Sequence, residues 1–300
     1  MKRILVTGGT VFVSKYVAKY FQSNNYEVYV LNRGSKQQIE NINLICADRN
    51  NLKDCLRDFS FDAIIDVCAY NQQDIKNILD AVGEFKDYIF ISTSAVYPET
   101  NIQPFSENQS IGVNNIWGKY GSDKIEAEEY LISKVPNAYI LRPPYLYGPM
   151  QNLYREPFVF ECALKSRKFY IPNDGKMKLQ FFHVDDLCKV IEKILEKHPT
   201  NHIFNVGNSE LIDINTFVEL CYKVVGTPLE KIYVTNHSNQ RDYFSFHDYE
   251  YSLDVTKQSE LLMEEKDLFE GLKESYEWFK DNYNEVSKKD YIKYIEENFK

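Results

Sequence analysis

The chain has 300 residues, 44% apolar and 26% charged, with a formal net charge of −9. That length allows one large domain or two modest ones with a real core. The acidic balance, without basic stretches interleaved with aromatics, argues against a grip on nucleic-acid phosphates; no run is long enough for a membrane span or a signal peptide, so a cytoplasmic chain is expected.

Six apolar runs come first: "RILVTG" (3–8), "EVYVLN" (27–32), "NLICAD" (43–48), "AIIDVCA" (63–69), "DYIFIST" (87–93) and "AYILRP" (138–143). They are nearly continuous rather than alternating, as strands covered on both faces should be. After the first, Phe12, Tyr16, Val17, Tyr20 and Phe21 fall on one helical face. Strands separated by helices imply parallel βαβ units, so the expected fold is a doubly wound parallel Rossmann-type sheet with a smaller C-terminal α/β substrate domain. Residues 1–150 and 180–208 read as the dinucleotide-binding domain, 151–179 and 209–282 as the substrate domain, and 283–300 as a charged surface helix or tail. "FFHVDDLCKVIEKIL" (181–195) and "HIFNVGN" (202–208) read as a helix and a strand returning to the sheet. The six cysteines are scattered without metal or disulfide spacing and read as reduced thiols.

The turn after the first strand puts a helix N-terminus where free N–H groups and the helix dipole favour an anion. Three spaced glycines usually serve the turn, the close approach of phosphate, and helix–strand packing. Here Gly8 and Gly9 cover the turn, Val11 stands at the close-approach place and Ser14 at the packing place. Neither change removes an N–H donor, although a β-branched Val11 would crowd phosphate. A plain strand–turn–helix fits the same residues.

"LNRG" ends the second strand without the acidic residue that binds a ribose 2′-hydroxyl; Asn32 and Arg33 lean towards the 2′-phosphate of NADP. A solvated Arg33 fits equally well. Asp48 is placed to contact adenine, or to cap a helix over 50–57.

Tyr120 and Lys124, four apart in "YGSDK", share a helical face. A neighbouring ammonium favours the phenolate and suits the tyrosine to proton exchange with a substrate hydroxyl. Tyr130/Lys134 and Tyr276/Lys280 have the same spacing and read as amphipathic helix positions; Tyr120 differs in following "ISTSAVY", whose Thr93 and Ser94 lie at a strand's C-terminal edge. His183 reads as a core group, Asp185 and Asp186 as a helix start, and Glu126, Glu128 and Glu129 as a solvated helix face. No metal is assigned.

"VTGGT" (6–10), "ISTSAVY" (91–97), "YGSDK" (120–124), "LRPPYLYGP" (141–149), "FFHVDDL" (181–187) and "FNVGN" (204–208) together resemble the extended short-chain dehydrogenase/reductases, and within them the NAD-dependent epimerase/dehydratase branch. The resemblance implies a catalytic set of Thr93, Tyr120 and Lys124. It implies NAD(P) bound by Gly8, Gly9, Thr10, Val11, Phe12, Val13, Asn32, Arg33, Asp48, Arg49, Ala69, Tyr70 and Pro143, and substrate contacts from Ser94, Tyr145 and Arg241. "LNRG", "ADRN" and "QRDYFSFHDYEYSLDVTK" (240–257) look more like atypical members, a group that includes chloroplast stem-loop RNA-binding proteins.

Departures bear on the substrate. Tyr145 stands where nucleotide-sugar epimerases usually have a diphosphate-binding Asn, and Leu179 where an Arg is usual, which leaves Arg241 as a phosphate handle. Ser94 and Ala95 replace the Asp–Glu pair of dehydratases and disfavour that variant. The expected function is NAD(P)-dependent chemistry on a secondary alcohol or carbonyl of a small molecule, a sugar nucleotide among the candidates. The alternative is a non-catalytic RNA-binding or cofactor-sensing protein on the same fold. The resemblance also allows a homodimer through the Tyr120–Lys124 helix.

Overall fold

The computed structural model describes residues 1–236 and 239–299. In chain order the strands are β1 (Arg3–Thr7), β2 (Glu27–Asn32), β3 (Asn43–Cys46), β4 (Ser60–Asp66), β5 (Glu84–Ile91), β6 (Tyr139–Arg142), β7 (Tyr145–Tyr147), β8 (Phe169–Pro172), β9 (Lys178–Leu179), β10 (Phe181–His183), β11 (Ile203–Asn205), β12 (Ile212–Asp213) and β13 (Lys231–Val234). The helices are α1 (Phe12–Ser23), α2 (Gln72–Ala81), α3 (Lys119–Lys134), α4 (Glu156–Leu164), α5 (Val184–Lys197), α6 (Ile214–Val225), α7 (Leu268–Asp281) and α8 (Tyr291–Asn298).

Two compact units divide the chain. One holds residues 1–144, 184–207 and 253–265, the other 145–183, 208–252 and 266–300. Residues 253–265 go with the first unit, where Leu253 bridges Phe105 and the Gln258 side chain exchanges hydrogen bonds with the Gly207 backbone. Residues 180–183 go with the second, because β10 pairs with β7 rather than with the large sheet.

The first unit is a seven-stranded sheet in the order β11-β6-β5-β4-β1-β2-β3, and every pair in it is parallel. The continuous apolar character of the strands follows from cover on both faces. Leu5, Ile64, Tyr88, Phe90 and Ile140 pack with Ile75 and Ile78 of α2 and Ala127 and Leu131 of α3. Ile4 and Val6 alternate with Leu5 and point to the other face, where α1 contacts β1, β2 and α5. Tyr16 and Tyr20, half-buried on α1, donate to Asp185 (3.2 Å) and Glu192 (2.9 Å) of α5. Strand order reverses between β1 and β4, and that topological switch opens a crevice at the carboxyl ends where ligands of such sheets bind.

The second unit has an aromatic core: Phe158 and Phe160 of α4, Phe169 of β8, Phe217 and Tyr222 of α6, Phe244 and Phe246. Its last segment is anchored as well as charged. Tyr291 of α8 is buried and stacks on Tyr154, and Lys288 reaches Glu161 at 3.1 Å. Burial would raise the Glu161 carboxyl, but bonds from Lys165, Tyr154, Tyr283 and Lys288 outweigh it and bring it to about 2. Among the described residues, no helix is long and apolar enough to cross a membrane.

Candidate functional site

At the carboxyl end of β1 the chain turns through Gly8 (φ +91°) and Gly9 (φ +84°), backbone that side-chain-bearing residues rarely adopt. A Cβ on Gly8 would lie 2.6 Å from the Cys68 sulfur, and one on Gly9 would lie 2.5 Å from Val30. The turn is pinned to β2 from both sides: Gly8 N–H donates to the Leu31 carbonyl (2.9 Å), and the Asn32 side-chain amide donates to the Gly8 carbonyl (2.7 Å). Asn32 also accepts from Gly34 N–H and so shapes the bend that carries exposed Arg33.

Helix α1 then begins without a side-chain cap and without an acidic residue in its first turn. By contrast Asn71, Asp213 and Asp267 cap α2, α6 and α7. Its uncapped N–H groups, behind a glycine turn with no room for a Cβ, suit the pyrophosphate of a dinucleotide. Val11 is extended (φ −140°, ψ 134°), a conformation favourable to a β-branched residue. Ser14 fills the packing place: it is buried, its hydroxyl donates to the Val11 carbonyl at 2.9 Å, and it lies against Gly8. Phe12 carries the remaining distortion of the loop, with φ +33° in a residue with a side chain. Thr10 and Val13 are half-buried beside it.

A buried carboxylate holds the switch point together. Asp66, at the end of β4, accepts from the hydroxyls of Thr7 (2.7 Å) and Tyr88 (2.6 Å), from Ala69 N–H (3.1 Å), and from both Arg49 Nη atoms. Burial alone would raise its carboxyl, but Arg49 outweighs it and holds the group below the ordinary carboxylate range. Arg49 also donates to the Asp74 carbonyl, so this guanidinium is committed to the protein. Asp48 caps the turn 49–51 by accepting Asn50 N–H at 2.9 Å.

Helix α3 carries the second part of the site. Tyr120 lies in its first turn, 42% exposed, and Lys124 one turn on is 3% exposed. The Lys124 ammonium donates to the carbonyls of Ala69 and Ile91, both at 2.8 Å, and sits 4.6 Å from the Phe90 ring centroid and 5.4 Å from that of Tyr70. Burial lowers its pKa to about 8, against the opposing pull of Asp66, Cys68 and Glu128. Tyr70 is exposed after β4, and partial desolvation of its hydroxyl, with smaller contributions from Cys68 and Tyr120, raises its phenol above the ordinary value. Thr93 is buried and extended, and its hydroxyl accepts Ala95 N–H at 3.2 Å. Ser94 N–H donates to the carbonyl of buried Pro143 (2.9 Å), so both line the β5–β6 junction.

Thr93, Lys124, Ala69, Tyr70, Pro143 and the glycine turn therefore all lie at the carboxyl edge of one sheet. Tyr145 and Arg241 belong to the second unit. There Tyr145 is buried under the Arg155 guanidinium, 5.3 Å from its ring, and burial pushes its phenol up to about 12 against the pull of Arg155 and Arg241.

Three features of the site are missed by local sequence. Gly121 packs α3 onto the Ala95 carbonyl, which a Cβ would approach to 2.4 Å. Asp66 is the unread partner of Arg49. Glu128 is 1% exposed and paired with Arg142, whereas Glu126 and Glu129 are on the solvated face as expected. Asp185 and Asp186 open α5, and His183 is fully buried.

Residues 4–207 match the model of the NAD dependent epimerase/dehydratase family. The chain is 26% identical over 303 residues to the chloroplast stem-loop binding protein of 41 kDa b of Arabidopsis thaliana, covering 92% of this chain and 78% of that one. It is 27% identical over 320 residues to a putative UDP-glucose 4-epimerase of Methanocaldococcus jannaschii, covering 93% and 99%. Among solved structures, UDP-glucose 4-epimerase of Thermotoga maritima with UDP-glucose superposes with a TM-score of 0.76 at 23% identity, over 94% of this chain and 99% of that one. UDP-glucuronic acid 4-epimerase of Bacillus cereus, in complex with UDP-glucuronic acid and NAD, gives 0.72 at 20% identity, over 93% and 99%. With its parallel sheet, its glycine turn and a family match over two thirds of its length, the chain belongs to the NAD-dependent epimerase/dehydratase family.

Proposed function

We propose that this protein is an enzyme that interconverts a secondary alcohol and a ketone on a sugar nucleotide, with Thr93, Tyr120 and Lys124 as its catalytic set. The observation that carries this reading is Lys124: a buried ammonium held by the carbonyls of Ile91 at the end of β5 and Ala69 just past β4, one helical turn from an exposed tyrosine at the ligand-binding edge. A buried charge costs stability unless it is used or paired.

The bound nicotinamide supplies a hydride acceptor and donor. Gly8, Gly9, Thr10, Val11, Phe12 and Val13 hold the pyrophosphate, Ala69, Tyr70 and Pro143 line the ring half, and Asn32, Arg33, Asp48 and Arg49 shape the adenosine end. Tyr120 Oη takes the proton of the substrate hydroxyl and returns it. The Lys124 ammonium favours the phenolate and binds the ribose, while Thr93 holds the substrate oxygen. Ser94 contacts substrate. A preference for NADP rests on exposed Arg33, since Asn32 is spent on the loop.

Stem-loop binding, the property in the Arabidopsis relative's name, does not carry over, because a net charge of −9 opposes phosphate-backbone binding. Six unpaired thiols suit a reducing, cytoplasmic setting, and a homodimer through α3 completes the proposal. Native mass spectrometry with NAD, NADP and a panel of sugar nucleotides tests it: one dinucleotide retained per chain is expected, and no dinucleotide binding refutes it.

A further inference from the structure

Helix α3 is tied to the sheet at three successive turns. Gly121 rests on the Ala95 carbonyl, and Lys124 donates to Ile91 and Ala69. Glu128, four residues further along the same face, makes the third tie. One of its oxygens accepts from the Ser92 hydroxyl and from Arg142 Nε (3.1 Å), the other from Arg142 Nη2 (2.5 Å). Arg142 donates its remaining Nη1 to Tyr97 (2.9 Å), whose hydroxyl donates to Asn205 of β11 (2.7 Å). Ser92, Glu128, Arg142 and Asn205 are all buried.

The strand geometry gives this tie a direction. Ser92 N–H donates to Leu141 and Ser94 N–H to Pro143, at 2.8 and 2.9 Å, so Thr93 is held between two residues bonded to the strand that carries Arg142. Glu128 thus binds both sides of the frame around Thr93 to the helix that presents Tyr120 and Lys124.

We infer that Glu128 is a positioning residue for the reaction: through Ser92 and Arg142 it fixes α3, and with it Tyr120 and Lys124, against Thr93. This rests on the catalytic reading of those three residues. A buried ion pair contributes little net stability compared with a well-packed apolar pair, so a role confined to stability would be replaceable by apolar side chains. Positional control would not be, because small displacements between reacting groups cost rate steeply.

The test uses three variants of the full chain: Ser92→Ala, Glu128→Gln, and Glu128→Met combined with Arg142→Met. Melting temperature, NAD affinity, turnover of UDP-glucose with NAD, and the ¹⁵N resonance of the Lys124 ammonium are measured for each. The double Met variant is expected to melt near the wild type and keep NAD affinity within about twofold, yet lose about a hundredfold in turnover. Ser92→Ala folds without a buried unpaired charge and is expected to lose about tenfold. In Glu128→Gln and the double variant the Lys124 resonance should shift or broaden as its carbonyl bonds loosen. Wild-type turnover in the double variant, or an unmoved Lys124 resonance in both variants, overturns the inference. If the wild-type protein itself does not turn over UDP-glucose, that result counts against the catalytic reading, and the Lys124 resonance still decides the positioning role.

Discussion

The loop after β1 and the seat of α3 share one edge of one sheet, yet they are built from different materials. The loop is almost entirely backbone: two left-handed glycines, an uncapped helix start, and carbonyl and amide contacts to β2. The seat of α3 is made of buried charged side chains, Lys124 and Glu128, whose partners come from β5, β6 and the residues just after β4 and β5. A backbone site tolerates any side chain compatible with its φ and its space, which is why Val11 and Ser14 can stand where glycines are usual. A site of buried charges tolerates little, because removing one partner strands the other.

Substitutions can break that contrast, beginning with the largest effect. Tyr120→Phe is expected to lower turnover by about 10²- to 10⁴-fold with NAD affinity within about twofold, measured by steady-state kinetics and calorimetry. Retained turnover would remove Tyr120 from the chemistry. Gly9→Ala is the corresponding blow to the loop. Its Cβ meets Val30 on backbone at φ +84°, so a stability loss of about 1–3 kcal/mol and at least about tenfold weaker NAD binding are expected, by thermal melting and titration.

A pH titration separates the two regions without mutation. Lys124 is held at about 8, so its ammonium is charged below that pH and neutral above it. Turnover that depends on the charge should decline as pH rises through about 8, while affinity for ADP, which reaches the phosphate loop and the adenosine end but not Lys124, stays level. Parallel decline of both would erase the distinction. The smallest effect belongs to Val11→Gly. Its extended backbone needs no glycine, so relief of crowding should tighten NAD binding by only about threefold, at about 0.5–1 kcal/mol of stability. Weaker binding would show that Val11 does not crowd the phosphate.

The same contrast explains what could be read from the chain. The strands of the large sheet were legible because burial on both faces writes continuous apolar runs, and "RILVTG" or "EVYVLN" needs no tertiary information. The order of the glycine turn, Thr93, Tyr120 and Lys124 was legible because each sits at a fixed place on such a strand or helix. The partners were not. In "KIEAEEY" three glutamates share four residues, and only Arg142, brought in by the neighbouring strand, singles out Glu128. Arg49 carries the same lesson: its guanidinium is bonded to Asp66, seventeen residues away and unremarkable in sequence. The charged C-terminal stretch showed few anchors because its hold on the second unit comes from Tyr154 and Glu161, far earlier in the chain.

Gly121 gives the site a gauge that works by omission. It has ordinary helical backbone, so any residue could adopt its conformation; what excludes the others is the Ala95 carbonyl, 2.4 Å from where a first side-chain carbon would be. The reach between the tyrosine's turn of α3 and the strand end bearing Thr93 is thereby set by an absent methyl group. Any larger residue at 121 would act as a shim, lifting the helix and lengthening the distance between its first turn and that strand end.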